Sequence, residues 1–293
     1  MTRRLFTFGC SFTEYAWPTW ADLLGVEFDE FQNWGYRGIG NRGIAERIAE
    51  AHARHQFNKN DTVIVQWSTH LRHDWYNDHQ QPAGRPPGWK TNGSMFSPRN
   101  QHVHTKEWIE LFFNESAYIM HSLNSIVLSQ NLLEATGATW LMTSIGHLQN
   151  LGNDIDIRKE FGESLFNNDT ISKNYPHLDF YKNEIWEKYP DQWLDPLHIF
   201  AKKYLDKGWS FVDNNGNTWN ETHLSTMQYN LWIKEVLLNK LPVLPDTLKK
   251  IDKITKQIEN LKELSNGNMF TLAETLRTAE IDYLNWPNTP KGF

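Results

Sequence analysis

Five residues with chemically useful groups stand where predicted strands of this chain end. They are Ser11, Gly38, Ser68, Thr69 and His223. Because the carboxyl ends of parallel strands meet at one edge of a sheet, we expect these residues to lie close together. A hydroxyl nucleophile, an imidazole base and hydrogen-bond donors for an oxyanion are the parts of a serine-hydrolase site.

The segment that contains Ser11 is FTFGCSFTEY, residues 6–15. It predicts a buried strand that turns sharply at Gly9 and leads into a helix. A serine in such a turn exposes its hydroxyl, and the backbone N–H groups of the turn point at a reacting oxygen. Serine is also a favoured helix N-cap, so the segment alone leaves both interpretations of Ser11 open. We interpret its neighbour Cys10 as a small buried core residue.

Strands and helices alternate over residues 1–241, which predicts a three-layer α/β/α sandwich with a mostly parallel, flavodoxin-like sheet. Its clearest strand is DTVIVQWS, residues 61–68, whose β-branched run is typical of a strand covered on both faces. Two long polar insertions, at about 76–105 and 147–194, interrupt the pattern. We expect the first to form a lid over the edge of the sheet.

Residues 246–293 predict a helical hairpin appended to the domain of residues 1–241. Ile251, Ile254 and Ile258 recur there at heptad spacing, and a lone hairpin cannot bury them. The prolines just before the hairpin predict a stiff joint that holds it away from its own domain. The partner that buries the isoleucines could be the domain of the same chain or the hairpin of another chain. The stiff joint favours the second, so we predict a homo-oligomer that associates through this hairpin.

Composition excludes several classes of protein. The chain has 293 residues, a net charge of -6 and no basic block, which argues against nucleic-acid binding. It contains no run of 18 apolar residues, so no membrane span is expected, and no signal peptide is recognisable. We therefore expect a cytoplasmic protein. The single cysteine excludes an internal disulfide.

Tryptophan is unusually frequent, with 14 residues, and several lie in polar stretches that are rich in glycine, proline or asparagine. These are Trp75, Trp89, Trp186, Trp193 and Trp219. Such residues enlarge a core in most proteins. A tryptophan in a loop instead suggests a flat surface for a ligand, and sugar rings are one ligand of that shape.

Four segments of the chain resemble the sequence blocks of the SGNH (GDSL-like) hydrolases. GCSFT resembles the first block, with Ser11 as nucleophile, and NWGYRG resembles the second, in which Gly38 follows Asn33 at the family's spacing. VIVQWSTH is similar to the third block, although Thr69 stands where the family has an asparagine. ETHLS resembles the last block, which carries the catalytic histidine, here His223. The resemblance covers roughly residues 3–241.

The family places an acid two or three residues before that histidine. Here the position three before is Asn220 and the position two before is Glu221. Relatives with a GCSFT start, which are found in phages and marine bacteria, use the nearer position, so the resemblance implies Glu221 as the orienting acid. It also implies Gly38, Thr69 and Ser68 as oxyanion donors. Losing one such donor costs ~10²-fold or more in rate, so threonine in place of asparagine is a notable departure.

The resemblance implies a serine acyl-ester hydrolase that forms an acyl-enzyme and needs no cofactor. Its expected substrate is a small-molecule or glycan ester, with O-acylated carbohydrate favoured by the loop tryptophans. One alternative is an O-acyltransferase that uses a sugar hydroxyl in place of water. Another is a catalytically degenerate virion or assembly protein on the same fold, in which case a phage-encoded chain would reside in the virion.

Further polar residues have several interpretations. We expect Arg72, Asn41 and Trp67 to contact substrate, although Arg72 could equally pair with Asp74. The glycine-rich turn at residues 35–43 could cradle a phosphate, but its spacing does not fit a dinucleotide site.

The chain also has histidines near metal-ligand spacing. They are His70, His73, His79, His102 and His104, with Asp74 beside them. No second cysteine and no HExxH segment supports such a site, so no metal is predicted.

Overall fold

The computed structural model describes residues 2–77, 88–97, 103–146, 180–181, 183–213 and 215–290. The strands are β1 (Arg4–Phe8), β2 (Glu30–Asn33), β3 (Asp61–Trp67), β4 (Arg72–Asn77), β5 (Gly88–Ser94), β6 (Thr139–Ser144), β7 (Ser210–Val212) and β8 (Thr218–Asn220). The α-helices are α1 (Trp20–Gly25), α2 (Asn41–His55), α3 (Lys106–Phe112), α4 (Glu115–Thr136), α5 (Leu197–Lys203), α6 (Thr226–Glu235), α7 (Pro245–Leu264) and α8 (Met269–Thr278).

A four-stranded parallel sheet forms the centre of the molecule, in the order β2-β1-β3-β6. Every residue of β3 is buried, as its continuous apolar run predicts. Helices α2 and α4 pack together as one flanking group, and α1, α6 and α7 pack together as another. The predicted α/β class, with its parallel sheet and added C-terminal helices, is confirmed.

The strand order places β1 between β2 and β3. After β1 the chain runs to β2 on one side, and it then crosses back to form β3 on the other side of β1. Such a switch in direction opens a crevice beyond the carboxyl end of the central strand, where ligands bind in open α/β sheets. Ser11 lies in the turn that follows β1, after Gly9 and Cys10, and is therefore placed at this crevice.

The sequence predicts a last strand at WSFVD, residues 209–213, which is present as β7 but does not join the central sheet. β7 pairs with β8 as an antiparallel ribbon, closed by a turn in which Asp213 accepts hydrogen bonds from the N–H groups of Asn215 and Asn217. Asparagine and glycine favour such a hairpin turn, and this local preference decides the pairing. The free edge of β6 is met instead by Leu194, whose N–H donates to the Met142 carbonyl at 2.8 Å.

The apolar periodicity of the sequence predicts helices over 106–136 and 223–241, and both are shorter in the structure. The long helix over 106–136 is split, because the Asn114 side chain accepts from the N–H of Ala117 and starts α4. The helix predicted from His223 begins only at Thr226, with Ser225 as its N-cap. His223 therefore lies in the loop that leads into α6, not in the helix.

The first insertion begins and ends as an antiparallel ribbon of β4 and β5. Residues 78–87 and 98–102 lie outside the described residues, and the lid role stays a prediction. Most of the second insertion, residues 147–179 and residue 182, lies outside them as well.

The C-terminal hairpin packs against its own α/β domain. Ile251, Ile254 and Ile258 are fully buried, and α7 contacts both α6 and α1. Pro245 is the first residue of α7, a position that proline tolerates well, so it starts the helix and does not hold the hairpin away. The isoleucines are therefore buried on the domain of the same chain, so they give no support to the predicted homo-oligomer, which stays a prediction. No helix within the described ranges is both long and apolar enough for a membrane span.

Candidate active site

Ser11, His223 and Glu221 form a continuous hydrogen-bonded chain. The Nε2 atom of His223 lies 2.8 Å from the Ser11 Oγ, and its Nδ1 atom lies 2.7 Å from the Glu221 Oε1. The side chain of Glu221 is 4% exposed and that of His223 is 17% exposed, so the acid lies behind the base. The structure thus brings together the three residues to which the sequence assigned catalytic roles.

The turn that carries Ser11 depends on the close approach of Gly9 to β3. A Cβ atom on Gly9 would lie 2.2 Å from the Thr13 Oγ1 and 2.8 Å from the Gln66 Oε1, and φ at Gly9 is +156°. The buried Gln66 Oε1 also accepts from the Cys10 N–H at 3.2 Å and from the Thr13 hydroxyl at 3.3 Å. Gln66 therefore fixes the turn from the neighbouring strand, a role that its own segment of sequence does not indicate.

Ser11 does not cap the helix that follows it. α1 begins at Trp20, and its N-cap is Thr19, whose side chain and backbone form a capping box with Asp22. The N-cap interpretation of Ser11 is therefore wrong. Its hydroxyl is left to contact His223.

The loop that carries the acid and the base is held at both ends. The backbone N–H of Glu221 donates to the Trp209 carbonyl at 2.9 Å, and the Leu224 carbonyl accepts from the indole of Trp17 at 3.0 Å. Glu221 also accepts the backbone N–H of His223 at 3.0 Å. This closes a tight local turn that explains why an acid two residues before the histidine can reach its ring.

Two aromatic side chains pack against the imidazole of His223. The Tyr15 ring stacks on it with centroids 3.8 Å apart, and the Phe12 ring lies 4.9 Å away. The guanidinium of Arg37 lies 5.4 Å from the centre of the Tyr15 ring, on which it makes a cation–π contact. Sequence analysis did not assign Tyr15 to the site, although it lies four residues after Ser11.

The surroundings of the pair favour a neutral imidazole beside an ionised carboxylate. Burial lowers the pKa of His223, Glu221 opposes this, and the charges of Arg72 and Arg37 lower it further. Burial alone would raise the pKa of Glu221, but the hydrogen bonds from His223 outweigh it, so this pKa lies below its ordinary value. A neutral imidazole can accept a proton from Ser11.

Two backbone donors are available for an oxyanion. Within the described ranges, neither the N–H of Ser11 nor that of Gly38 donates to a protein acceptor. Gly38 has φ of +81°, which favours glycine, and its carbonyl accepts from the Gly93 N–H and from the Thr91 hydroxyl. The β4–β5 ribbon therefore holds the Gly38 loop by its carbonyl and leaves the N–H of Gly38 free.

Asp74 occupies the N-terminus of α2. Its carboxylate accepts from the N–H of Gly40 at 2.8 Å and from that of Gly43 at 3.0 Å. Burial raises the pKa of Asp74, and these hydrogen bonds oppose the shift. The glycine-rich turn therefore cradles an anion that belongs to the protein itself, which explains why the phosphate interpretation does not apply.

Asn41 and the predicted oxyanion residues of β3 are coupled. The Asn41 Oδ1 accepts the Ser68 N–H at 2.7 Å, and its Nδ2 donates to the Ser68 carbonyl at 3.1 Å. Asn41 is buried and holds β3 against α2, which leaves it no substrate contact of the kind predicted. The Ser68 hydroxyl is buried without a partner among the described residues, and Thr69 is half-buried. The oxyanion roles of Ser68 and Thr69 stay predictions.

Trp67 and Arg72 differ in how far they fit the predicted substrate contacts. Trp67 is fully buried, and its indole N–H donates to the Met142 sulfur at 3.2 Å. The prediction that Trp67 contacts substrate was therefore wrong. It belongs to the core because its strand is covered on both faces. The half-buried Arg72 donates to the Ile39 carbonyl at 2.8 Å, and its charge also acts on Asp74 and His223. Its contact with substrate stays a prediction.

The histidines of the β4 region contact neighbouring side chains. The Nε2 of His70 lies 3.1 Å from the Glu115 Oε1, and the Nδ1 of His73 lies 2.8 Å from the Tyr118 hydroxyl. Over the part of the chain that the structure describes, no group of three or more histidine, cysteine or acidic side chains could hold a metal ion. His79 and His102 lie outside that part.

Comparison with known proteins finds similarity in structure only. No family model and no curated protein sequence matches the chain. A member of the lipolytic G-D-S-L family from Veillonella parvula is similar in structure, with a TM-score of 0.40 and 13% identity over 79% of this chain and 94% of that one. Protein YXIM from Bacillus subtilis gives a TM-score of 0.39 and 13% identity over 82% of this chain and 56% of that one.

Proposed function

We propose that this protein is a serine acyl hydrolase that cleaves a carboxylic ester through an acyl-enzyme on Ser11. One observation carries the proposal: His223 lies 2.8 Å from the Ser11 hydroxyl on one side and 2.7 Å from the Glu221 carboxylate on the other. This is the arrangement in which a base activates a serine while an acid orients the base.

In the first half-reaction, the Nε2 of His223 takes the proton of Ser11 as its oxygen attacks the ester carbonyl. Glu221 accepts the Nδ1–H of the imidazole and stabilises the imidazolium that forms. The backbone N–H groups of Ser11 and Gly38 donate to the oxyanion of the tetrahedral intermediate. His223 then returns the proton to the departing alkoxide, and the acyl group stays on Ser11.

In the second half-reaction, water attacks the acyl carbonyl and gives a proton to His223. Collapse of the second tetrahedral intermediate releases the carboxylic acid, and the Ser11 oxygen recovers the proton from the imidazolium. Every step uses groups of this chain and water, so the mechanism requires no cofactor.

For the substrate we propose an O-acylated carbohydrate, and Trp219 is the residue that supports this choice. It lies two residues before Glu221, and it is 38% exposed. A flat, partly exposed indole beside a site suits the face of a sugar ring. The Trp219 ring lies 5.6 Å from the Phe211 ring, and the rings of Trp75, Trp186 and Trp193 also contact other rings, so the support comes from the exposure of Trp219 and its position in the sequence.

A fluorophosphonate probe with intact-mass detection tests the proposed function. We expect one covalent adduct, located on Ser11 by peptide mapping, and no adduct on the Ser11→Ala variant. The matched control Ser97→Ala, on a serine of the β5 region, should label like the wild type. An adduct on another serine would contradict the assignment, as would cleavage of p-nitrophenyl acetate without any adduct. A chain that neither reacts nor cleaves esters would favour the structural alternative.

A further inference from the structure

One half-buried residue of α7, Glu259, contacts residues on both sides of the loop that carries the candidate acid and base. The Glu259 Oε1 accepts from the backbone N–H of Met227 at 3.3 Å and from the indole N–H of Trp209 at 3.2 Å. Its second oxygen lies 3.0 Å from the same indole nitrogen. Met227 lies in the first turn of α6, four residues after His223, and Trp209 precedes β7.

Trp209 connects Glu259 to Glu221. Its carbonyl accepts the Glu221 N–H at 2.9 Å, so one residue binds the hairpin by its side chain and the acid by its backbone. Its ring packs on Trp17 with centroids 4.9 Å apart, and Trp17 packs edge-on against Tyr15 at 4.5 Å. Tyr15 in turn stacks on His223, so the contacts run without a gap from Glu259 to the base.

The turn of the hairpin makes a second contact on the same side. The N–H of Val212 donates to the Gly267 carbonyl at 2.7 Å, which joins β7 to the segment between α7 and α8. The β7–β8 ribbon ends at Asn220 and leads directly into Glu221. The hairpin therefore holds the ribbon before the acid and the helix turn after the base.

We infer that the hairpin helps to position the active site, and that its Glu259 is a positioning residue for the Glu221–His223 loop. The inference rests on the proposed function and deepens it. The loop lies between a three-residue strand and a helix N-terminus, so its position depends on the contacts that hold those two elements. An error of about 1 Å in the position of a catalytic group can cost 10²-fold in rate.

The role of Glu259 depends on accepting hydrogen bonds more than on carrying charge. A single oxygen, Oε1, receives both Trp209 and Met227. Burial raises the pKa of Glu259, and the hydrogen bonds only partly offset this. The amide oxygen of glutamine can accept the same two donors, but its NH₂ group would then face the Trp209 indole N–H at the position of the second oxygen, so Glu259→Gln should preserve only part of the geometry.

Asp252 provides a matched control on the same helix. It joins α7 to α6 through the side chains of Asn230 and Lys234, farther along α6 from His223. Asp252→Ala therefore removes a comparable contact between hairpin and domain without touching the Glu221–His223 loop. Comparing it with Glu259→Ala separates positioning of the site from docking of the hairpin.

The experiment measures the rate of fluorophosphonate labelling, kcat, KM and the pH profile of kcat/KM for full-length variants, below the unfolding temperature of each. We expect Glu259→Ala to lower kcat and the labelling rate about tenfold or more with little change in KM. It should also move the acidic limb of the profile upward, because a looser loop exposes His223 to water. Asp252→Ala should stay within about twofold of the wild type, and Glu259→Gln should lie between the wild type and Glu259→Ala.

The results of these measurements separate the role of Glu259 from the proposed hydrolase function. Equal labelling rates for Glu259→Ala and Asp252→Ala would overturn the inference alone. Failure of the wild type to label at Ser11 would overturn the proposed function and this inference with it. If Glu259→Ala does not fold, the variant Trp209→Phe removes the indole donor and leaves an aromatic ring at that position. An unchanged kcat and pH profile for that variant would overturn the inference.

Discussion

The ring of Tyr15 stacks on the imidazole of His223, with centroids 3.8 Å apart and an angle of 19° between the two planes. The stack covers one face of the proposed base and fixes the ring in the plane that directs Nε2 at Ser11. It also keeps water from that face, which contributes to the burial that lowers the pKa of His223. Tyr15 therefore acts on both the orientation and the protonation of the base.

Replacing Tyr15 with leucine should lower kcat and raise the pKa of His223. An aromatic pair is worth about 0.5–1.5 kcal/mol beyond its buried area, so loss of orientation should cost about three- to tenfold. Tyr15→Phe keeps the ring and should stay near the wild type. Steady-state kinetics across pH check this, and a Tyr15→Leu profile that superimposes on the wild type would contradict it.

Replacing Glu221 with glutamine should lower kcat by about 10⁴-fold while the chain stays folded. The amide cannot stabilise the imidazolium, and it allows the wrong tautomer of His223. Asn220→Ala is the control, because this exposed side chain contacts Ser210 and not the histidine. If Asn220→Ala is the more damaging change, the assignment of the acid is wrong.

The pH profile of kcat/KM should fall on the acidic side at a pKa below the ordinary histidine value of about 6.5. The sign follows from the proposed role: only the neutral imidazole accepts the Ser11 proton, and protonation below its pKa removes the base. Because the charge of Arg72 lowers this pKa, Arg72→Met should move the limb to higher pH. Arg42→Met removes an exposed charge paired with Glu46 and should leave the limb in place. A limb that moves downward in Arg72→Met would refute the argument.

Replacing Asp74 with asparagine should lower both stability and activity. The buried carboxylate accepts two glycine N–H groups at the start of α2, and an amide NH₂ would face one of them without an acceptor. Such a change costs about 1–3 kcal/mol of unfolding free energy. Asp191 is an exposed partner of Lys240, so the control Asp191→Asn should change the unfolding free energy little. Thermal unfolding and the Ser11 labelling rate measure the two effects.

Residues whose roles follow from short segments could be predicted from the sequence. Ser11 lies at the end of an apolar strand, and Glu221 and His223 share one five-residue segment, so their contact depends mainly on local geometry. The parallel sheet followed from the alternation of strands and helices. These features need few long-range contacts to be specified.

Residues whose roles depend on distant partners could not be predicted in this way. Asp74 caps α2, which begins some thirty residues before it in the chain. Gln66 holds the turn that follows the neighbouring strand β1. Trp67 looked available at a strand end, but only the packing of β6 shows that it is buried. The prolines before the hairpin suggested separation, whereas the docking of α7 depends on the surface that it meets.

The order of the sheet and of the proposed site residues along the chain has a consequence for synthesis. The four strands of the parallel sheet are complete by Ser144, whereas Glu221, His223 and Glu259 leave the ribosome much later. A nascent chain can therefore bury its first strands while Ser11 still lacks a base. On the proposed mechanism, a truncated translation product that retains the sheet would carry an inert serine and no esterase activity.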